Sequence, residues 1–241
     1  MQIAIVLYPG MTVLDAIGPY EVLHRMPDAD VRFVGREVGP VPADSGVLYL
    51  GATHTYDEIP APDLVLVPGG TANAATMIDK VLTSWLQQVH RTTQWTTSVC
   101  SGSLILAAAG ILKGLPATTH WMTQSMLGAM GAKPRRDQRI VREGKVVTAA
   151  GVSAGIDLGL WLVGEICGRE RAEVIQLAIE YDPQPPYDSG HPSKATPRVQ
   201  SLCRKALTRQ NVTISEIRAI PQVAWRRTLD ALRTSRQVRR P

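Results

Sequence analysis

The residue best placed to do chemistry is Cys100, in the run Trp95-Thr96-Thr97-Ser98-Val99-Cys100-Ser101-Gly102-Ser103-Leu104. Trp95 to Val99 are aromatic, β-branched or hydroxylic, as in a short buried strand. Leu104 to Ala109 suit a buried helix that Gly110 can stop. Cys100 therefore sits where a strand turns abruptly into a helix, as in a nucleophile elbow, where the turn lifts a reactive side chain above a sheet. Gly102 and its flanking serines leave room for a ligand. A thiol at a helix N-terminus feels unpaired amides and the positive end of the dipole, so the thiolate is expected to be favoured. The plainer alternative is a small cysteine that only packs.

Other groups could join it. Asp15, near the start of a helical run, is a candidate functional acid or simply a first-turn acid that complements the dipole. Gly69-Gly70 follow an apolar run, and their amides could donate to an anion or a polarised reaction centre. This is not a phosphate loop, because GxGxxG and GK[ST] are both absent. His120 could assist catalysis, although a histidine beside a tryptophan also packs well. Cys100, Cys167 and Cys203 are odd in number, widely spaced and without CxxC, which argues against a disulfide framework or a cysteine zinc site and fits a reducing cytoplasm.

The elements that must position these groups can be read in order. Ile3 to Tyr8 is a near-continuous apolar strand of the kind buried on both faces of a parallel sheet. Pro9-Gly10 turns the chain into a helix over Val13 to Leu23, which Gly18-Pro19 is expected to interrupt. Val31 to Gly35 is a second strand, and Val41 to Tyr49 a small excursion around Asp44-Ser45-Gly46. Asp63 to Val67 is a third strand, closed by Pro68-Gly69-Gly70. Met77 to Val89 reads as one amphipathic helix. Leu115 to Trp121 is a turn or short strand leading into a helix over Met122 to Met130. Arg139 to Thr148 is a hairpin around Glu143-Gly144. Gly151 to Gly155 opens a long apolar helix through Ile166, with Asp157 a structural acid in its first turn. Glu170 to Tyr181 is a further helix, and Pro183 to Pro192 a proline-rich loop. Alternating strands and helices indicate a doubly wound, mainly parallel sheet. Ligands of such sheets bind at the carboxyl ends of the strands, and Pro9-Gly10, Gly69-Gly70 and Cys100 each follow a strand directly. All three are expected on one rim.

At 241 residues and 44% hydrophobic, with few aromatics, the chain can build a core of Val, Leu, Ile and Ala. No apolar stretch reaches membrane-spanning length, and Met1-Gln2-Ile3-Ala4 enters a strand directly, so neither a membrane nor a signal peptide is expected. The net charge of +5 is uneven. Of the 26 basic residues, 12 lie from Pro192 onward, opposed there only by Glu216 and Asp230, so the preceding body is mildly acidic. Residues 193–241 are read as a basic helical extension to a domain spanning 1–192. Val199, Leu202 and Leu207, then Trp225, Leu229 and Leu232, have loose helical spacing. Helices docked on the domain or on a dimer partner are expected rather than a nucleic-acid surface.

Together these motifs resemble the ThiJ/PfpI superfamily. The resemblance rests on Val6-Leu7-Tyr8-Pro9-Gly10, Leu14-Asp15-Ala16-Ile17-Gly18-Pro19, Pro68-Gly69-Gly70, Ser98-Val99-Cys100-Ser101-Gly102, Thr118-Thr119-His120-Trp121 and Gly151-Val152-Ser153-Ala154-Gly155-Ile156-Asp157, in that order. Within the superfamily the branch it resembles most is that of the isonitrile hydratases, through Leu177 to Tyr181 and Pro185 to Gly190, so that residues 2–192 are covered. The resemblance implies an α/β, flavodoxin-like (class I glutamine amidotransferase-like) sandwich, a mainly parallel sheet with helices on both faces, in a cytoplasmic homodimer. It implies catalysis by Cys100, Asp15 and a hydroxyl residue after the cysteine, here Ser101 where that branch has threonine. Gly69, Gly70 and His120 are expected to bind substrate. No histidine follows Cys100, so protease activity is not expected. Neither a metal nor an organic cofactor is called for. The expected chemistry is addition of Cys100 to the isonitrile carbon with Asp15 as general acid and base, giving a thioimidate that water converts to a formamide. The competing readings are a cysteine-based sensor or regulator and a glyoxalase-like stress protein. A regulator of the AraC type would need a DNA-binding module of about a hundred residues, and only about fifty follow Pro192.

Overall fold

A computed structural model describes residues 1–71 and 73–211. β1 (Gln2–Val6) has four of its five residues buried, and it lies mid-sheet with a parallel neighbour on each side. Next come α1 (Val13–Leu23), β2 (Asp30–Gly35), the hairpin β3 (Gly39–Pro42) and β4 (Tyr49–Ala52), and the two-residue β5 (His54–Thr55). β6 (Leu64–Val67) is buried along its whole length. α2 (Asn73–Ile78) and α3 (Lys80–Thr92) lead to β7 (Trp95–Val99), which feeds α4 (Gly102–Ala108). β8 (Pro116–Ala117), α5 (Gln124–Ala129) and β9 (Lys133–Pro134) are short. β10 (Ile140–Glu143) and β11 (Val146–Ala149) form the expected hairpin, followed by α6 (Ala154–Cys167), α7 (Arg169–Ala178) and α8 (Pro197–Asn211).

The main sheet runs β10-β11-β7-β6-β1-β2-β5 and is parallel except at β10–β11. That antiparallel edge strand exposes Arg142 and Glu143, charges that discourage further pairing. The helices fall into two packed sets, α1 with α6 and α7, and α2 with α3 to α5 through α4. The architecture is the flavodoxin-like sandwich, helices on both faces, whose core is aliphatic. No helix among the described residues is long and apolar enough to cross a membrane.

Three expectations change in detail. Gly18-Pro19 does not interrupt α1, which runs through Pro19. The proline has no N–H for the carbonyl of Asp15, but tertiary packing holds the helix together. Gly18 lies against Ile156, while Gly155 and Gly159 face Pro19 and Val22, where added Cβ atoms would stand 3.0 and 2.9 Å from their nearest neighbours. The backbones of α1 and α6 can therefore approach closely. The run Met77 to Val89 is two helices, because Asp79 caps α3 by accepting from the amides of Val81 (2.9 Å) and Leu82 (3.3 Å). Residues 41–49 extend into the β3–β4 hairpin. Asp157 is structural as expected, pairing with Arg139 and accepting from the Tyr181 hydroxyl. Of the tail, α8 is a helix; Trp225, Leu229 and Leu232 lie outside the described residues.

Candidate active site

The three strand-end turns do meet. The amide of Thr12 donates to the Gly69 carbonyl and that of Thr71 to the Gly10 carbonyl, each at 2.9 Å. The loops after β1 and β6 are thus laced together. The Tyr8 hydroxyl donates to the Pro68 carbonyl at 2.9 Å and steadies the second loop.

Cys100 follows β7 with φ +57°, a left-handed conformation that a non-glycine residue adopts at a cost of about 1–2 kcal/mol. Its surroundings impose that conformation. The Cys100 amide donates to the carbonyls of Ala149 (3.1 Å) and Ala150 (2.8 Å), and its carbonyl accepts from Thr119 Oγ1 (3.0 Å) and Ser103 Oγ (3.3 Å). Gly102 lets the first turn of α4 slide under the end of β6. A Cβ there would lie 2.1 Å from the Val67 carbonyl oxygen.

Asp15, on α1, is fully buried. Its Oδ2 accepts from the Gly69 amide at 2.9 Å. Its Oδ1 is buried without a well-formed hydrogen bond, and the Cys100 thiol beside the carboxyl favours its charged form. Burial outweighs both the amide and the thiol and pushes the Asp15 carboxyl up to about 7. Ser101 Oγ accepts from the Gly70 amide at 3.1 Å. Gly69 is the hub of this arrangement. A Cβ on it would stand 2.6 Å from both the amide nitrogen and Oγ of Ser101, and 2.9 Å from Asp15 Oδ2.

Two expectations are corrected here. The Cys100 thiol is not a ready thiolate: burial, then the charge of Asp15, push it above its ordinary value. The amides of Val152 and Ser101 act on the sulfur in the opposite direction but do not prevail. The helix terminus alone misleads, because α4 begins inside the core. The Gly69 and Gly70 amides are likewise directed at Asp15 and Ser101, so they hold these two side chains instead of reaching openly toward a substrate.

A cavity of about 180 Å³ opens beside Cys100, bordered by Thr12, Asp44, Gly70, Ser101, His120, Met122, Val152 and Leu207. His120 is therefore at the site, half-buried, and burial lowers its basicity. It also borders an adjoining cavity of about 440 Å³ toward Arg139 and His191. A larger cavity, about 630 Å³ beside Arg36 and Tyr56, is bordered by none of these groups. Thr12 and Asp44, joined at 2.6 Å, were not legible as site residues, nor was Leu207. Among the described residues no cluster of side chains has the make-up of a metal site.

Residues 1–165 match the family model described as DJ-1/PfpI family. Isonitrile hydratase of Pseudomonas putida is 40% identical over 205 residues, which are 85% of this chain and 89% of the hydratase. The HTH-type transcriptional regulator CdhR of Pseudomonas aeruginosa is 28% identical over 185 residues, 74% of this chain but 52% of the regulator. A crystal structure of a ThiJ/PfpI family protein from Pseudomonas syringae superposes with a TM-score of 0.83 at 36% identity, covering 90% of each chain. Drosophila melanogaster DJ-1beta, at 18% identity and TM-score 0.67 over 74% of this chain and 97% of its own, shares the fold.

Proposed function

The chain belongs to the DJ-1/PfpI family, and within it we propose a hydro-lyase of the isonitrile hydratase kind, adding water to an isonitrile to give an N-substituted formamide. One observation carries the reading. A fully buried carboxyl, pinned by the Gly69 amide and titrating near neutrality, is paired with a strained cysteine at the wall of a small cavity. The 40% identity with the Pseudomonas putida enzyme over most of both chains points the same way.

In the resting pair the thiol is protonated and Asp15 is divided between its two forms. The Asp15 carboxylate takes the proton from Cys100 as sulfur attacks the terminal carbon of R–N≡C. That carbon then receives the proton from Asp15, giving the thioimidate R–N=CH–S. Water, deprotonated by Asp15, adds to the same carbon, and Asp15 passes that proton to the imine nitrogen. Cleavage of the C–S bond releases R–NH–CHO as the proton of the added hydroxyl passes through Asp15 to the departing sulfur, which restores the thiol. The Ser101 and Val152 amides, which act on the sulfur, stabilise negative charge there as the proton leaves. Ser101 also holds the Gly70 turn through its hydroxyl. His120 stays neutral and lines the cavity as a polar contact for substrate or for the attacking water.

A cysteine-based redox sensor needs only an oxidisable thiol, whereas the Asp15 carboxyl held beside Cys100 supplies an acid–base partner for proton transfer, which favours the enzyme. The assembly proposed is a homodimer, for which exposed Val47, Leu48 and Tyr49, at the start of β4, offer apolar surface; a monomeric mass by light scattering would contradict it. The test of function is direct: incubate the protein with a panel of alkyl and aryl isonitriles and follow formamide. Turnover lost in Cys100→Ala supports the proposal. Turnover that survives it, or no turnover with any isonitrile, refutes it.

A further inference from the structure

We infer that Leu207, on helix α8, selects the size of the substituent that the Cys100 cavity admits, the acceptable class being compact apolar isonitriles. The inference rests on the hydratase reading for its substrate and on geometry for its wall. Leu207 is half-buried and borders the cavity into which Cys100 opens. Together with Met122 and Val152 it forms the apolar part of a lining that is otherwise polar. The reacting carbon must reach the Cys100 sulfur, so a substituent held in this cavity of about 180 Å³ meets this apolar part.

Helix α8 is docked by a single stripe of side chains at helical spacing. The Gln200 side-chain amide donates to the carbonyls of Pro192 (2.8 Å) and Ala195 (3.0 Å). One turn on, the Arg204 guanidinium lies 4.5 Å from the centre of the Trp121 ring, next in sequence to His120 and Met122 of the cavity wall. Cys203 borders the small recess that Trp121 and His191 also line. Leu207 is the next residue on that stripe. The same helix that braces the His120–Met122 wall thus also inserts one apolar residue beside the nucleophile. Leu202 on another face stays exposed, so Leu207 is not buried merely because α8 is apolar.

The test compares Leu207→Ala and Leu207→Phe with the unaltered 241-residue chain, with folding checked by circular dichroism. The substrates are isopropyl, cyclohexyl and 2-naphthyl isonitrile. A methylene's difference in an apolar pocket is worth about 10-fold or more in kcat/KM. The naphthyl-to-isopropyl ratio is therefore expected to rise about 10-fold in Leu207→Ala and to fall by a similar factor in Leu207→Phe. A second readout needs no hydration: alkylation of Cys100 by iodoacetamide and by a bulky N-aryl maleimide, followed on the Cys100 peptide by mass spectrometry. The bulky-to-small rate ratio should move in the same directions. Unchanged ratios in both folded variants overturn the inference. If no isonitrile is hydrated by any variant, the hydratase reading falls, and the alkylation ratios alone decide whether Leu207 is the wall.

Discussion

Replacing Asp15 by Asn should make the protein more stable at alkaline pH while disabling it. The side chain is fully buried, and burial holds its carboxyl near 7 rather than 3.8. A carboxyl whose folded pKa is raised binds its proton more tightly in the native state than in the unfolded one. Its contribution is fully favourable below the unfolded value and is lost as pH rises through the folded value. About three pKa units at about 1.4 kcal/mol each correspond to about 4 kcal/mol, surrendered between about pH 4 and about pH 8. Asn has no such proton. Its amide oxygen can accept from the Gly69 amide as Oδ2 does, and its NH₂ occupies the position of the poorly partnered Oδ1. Urea unfolding of both proteins at several pH values measures the effect. The stability of Asp15→Asn relative to the parent should increase by about 2.5 kcal/mol between about pH 5 and about pH 8. Turnover, meanwhile, should fall by about 10²–10⁴-fold with the loss of the acid–base group. A difference that is independent of pH, or that favours the parent increasingly as pH rises, would refute the argument that burial governs this carboxyl.

Three further outcomes are expected. Because Asp15 must be ionised to take the thiol proton, kcat/KM should climb with pH up to about 7 and then level, and a flat profile from about pH 5 to about pH 8 would remove Asp15 as the base. Since φ of residue 100 is +57°, Cys100→Gly should be more stable than Cys100→Ala by about 1 kcal/mol in denaturant unfolding, with both inactive. Ser101→Ala removes the hydroxyl that the Gly70 amide donates to and should lose about 0.5–1.5 kcal/mol of stability along with activity, whereas Ser101→Thr keeps the oxygen and should remain active.

Much of this site is readable one strand at a time. Apolar runs such as Leu64 to Val67 announce a doubly covered parallel sheet, and such a sheet must deliver its strand-end turns to one rim. Cys100, Asp15 and Gly69 meet for that reason. What escapes a linear reading is anything decided by depth or by a distant segment. The helix N-terminus after Cys100 predicts an acidic thiol, but Val152, Thr119 and Asp15 enclose it, and desolvation prevails. The glycine amides look available in sequence because their acceptors come from α1 and from the turn after β7. Asp79 shows the reverse: its capping role was written in its residue type, yet the apolar periodicity across Met77 to Val89 concealed it. Two-residue strands such as β5 and β8 carry no pattern at all. Leu207 looks like any leucine of an amphipathic helix until the fold brings it to the cavity beside Cys100.

The close approach of α1 and α6 has a mechanical consequence. Asp15 owes its place beside Cys100 to the helix it rides on, and that helix is seated by contacts made at Gly18, Gly155 and Gly159. Two of these lie more than a hundred residues from the carboxyl in the chain. A methyl added at Gly159 would press on Val22, and α1 would have to rise from its seat. The lever that moves would carry Asp15 at its other end. The tolerance of the chemistry, a fraction of an ångström between a carboxyl and a sulfur, is thus inherited from the thickness of a helix seam that no substrate touches.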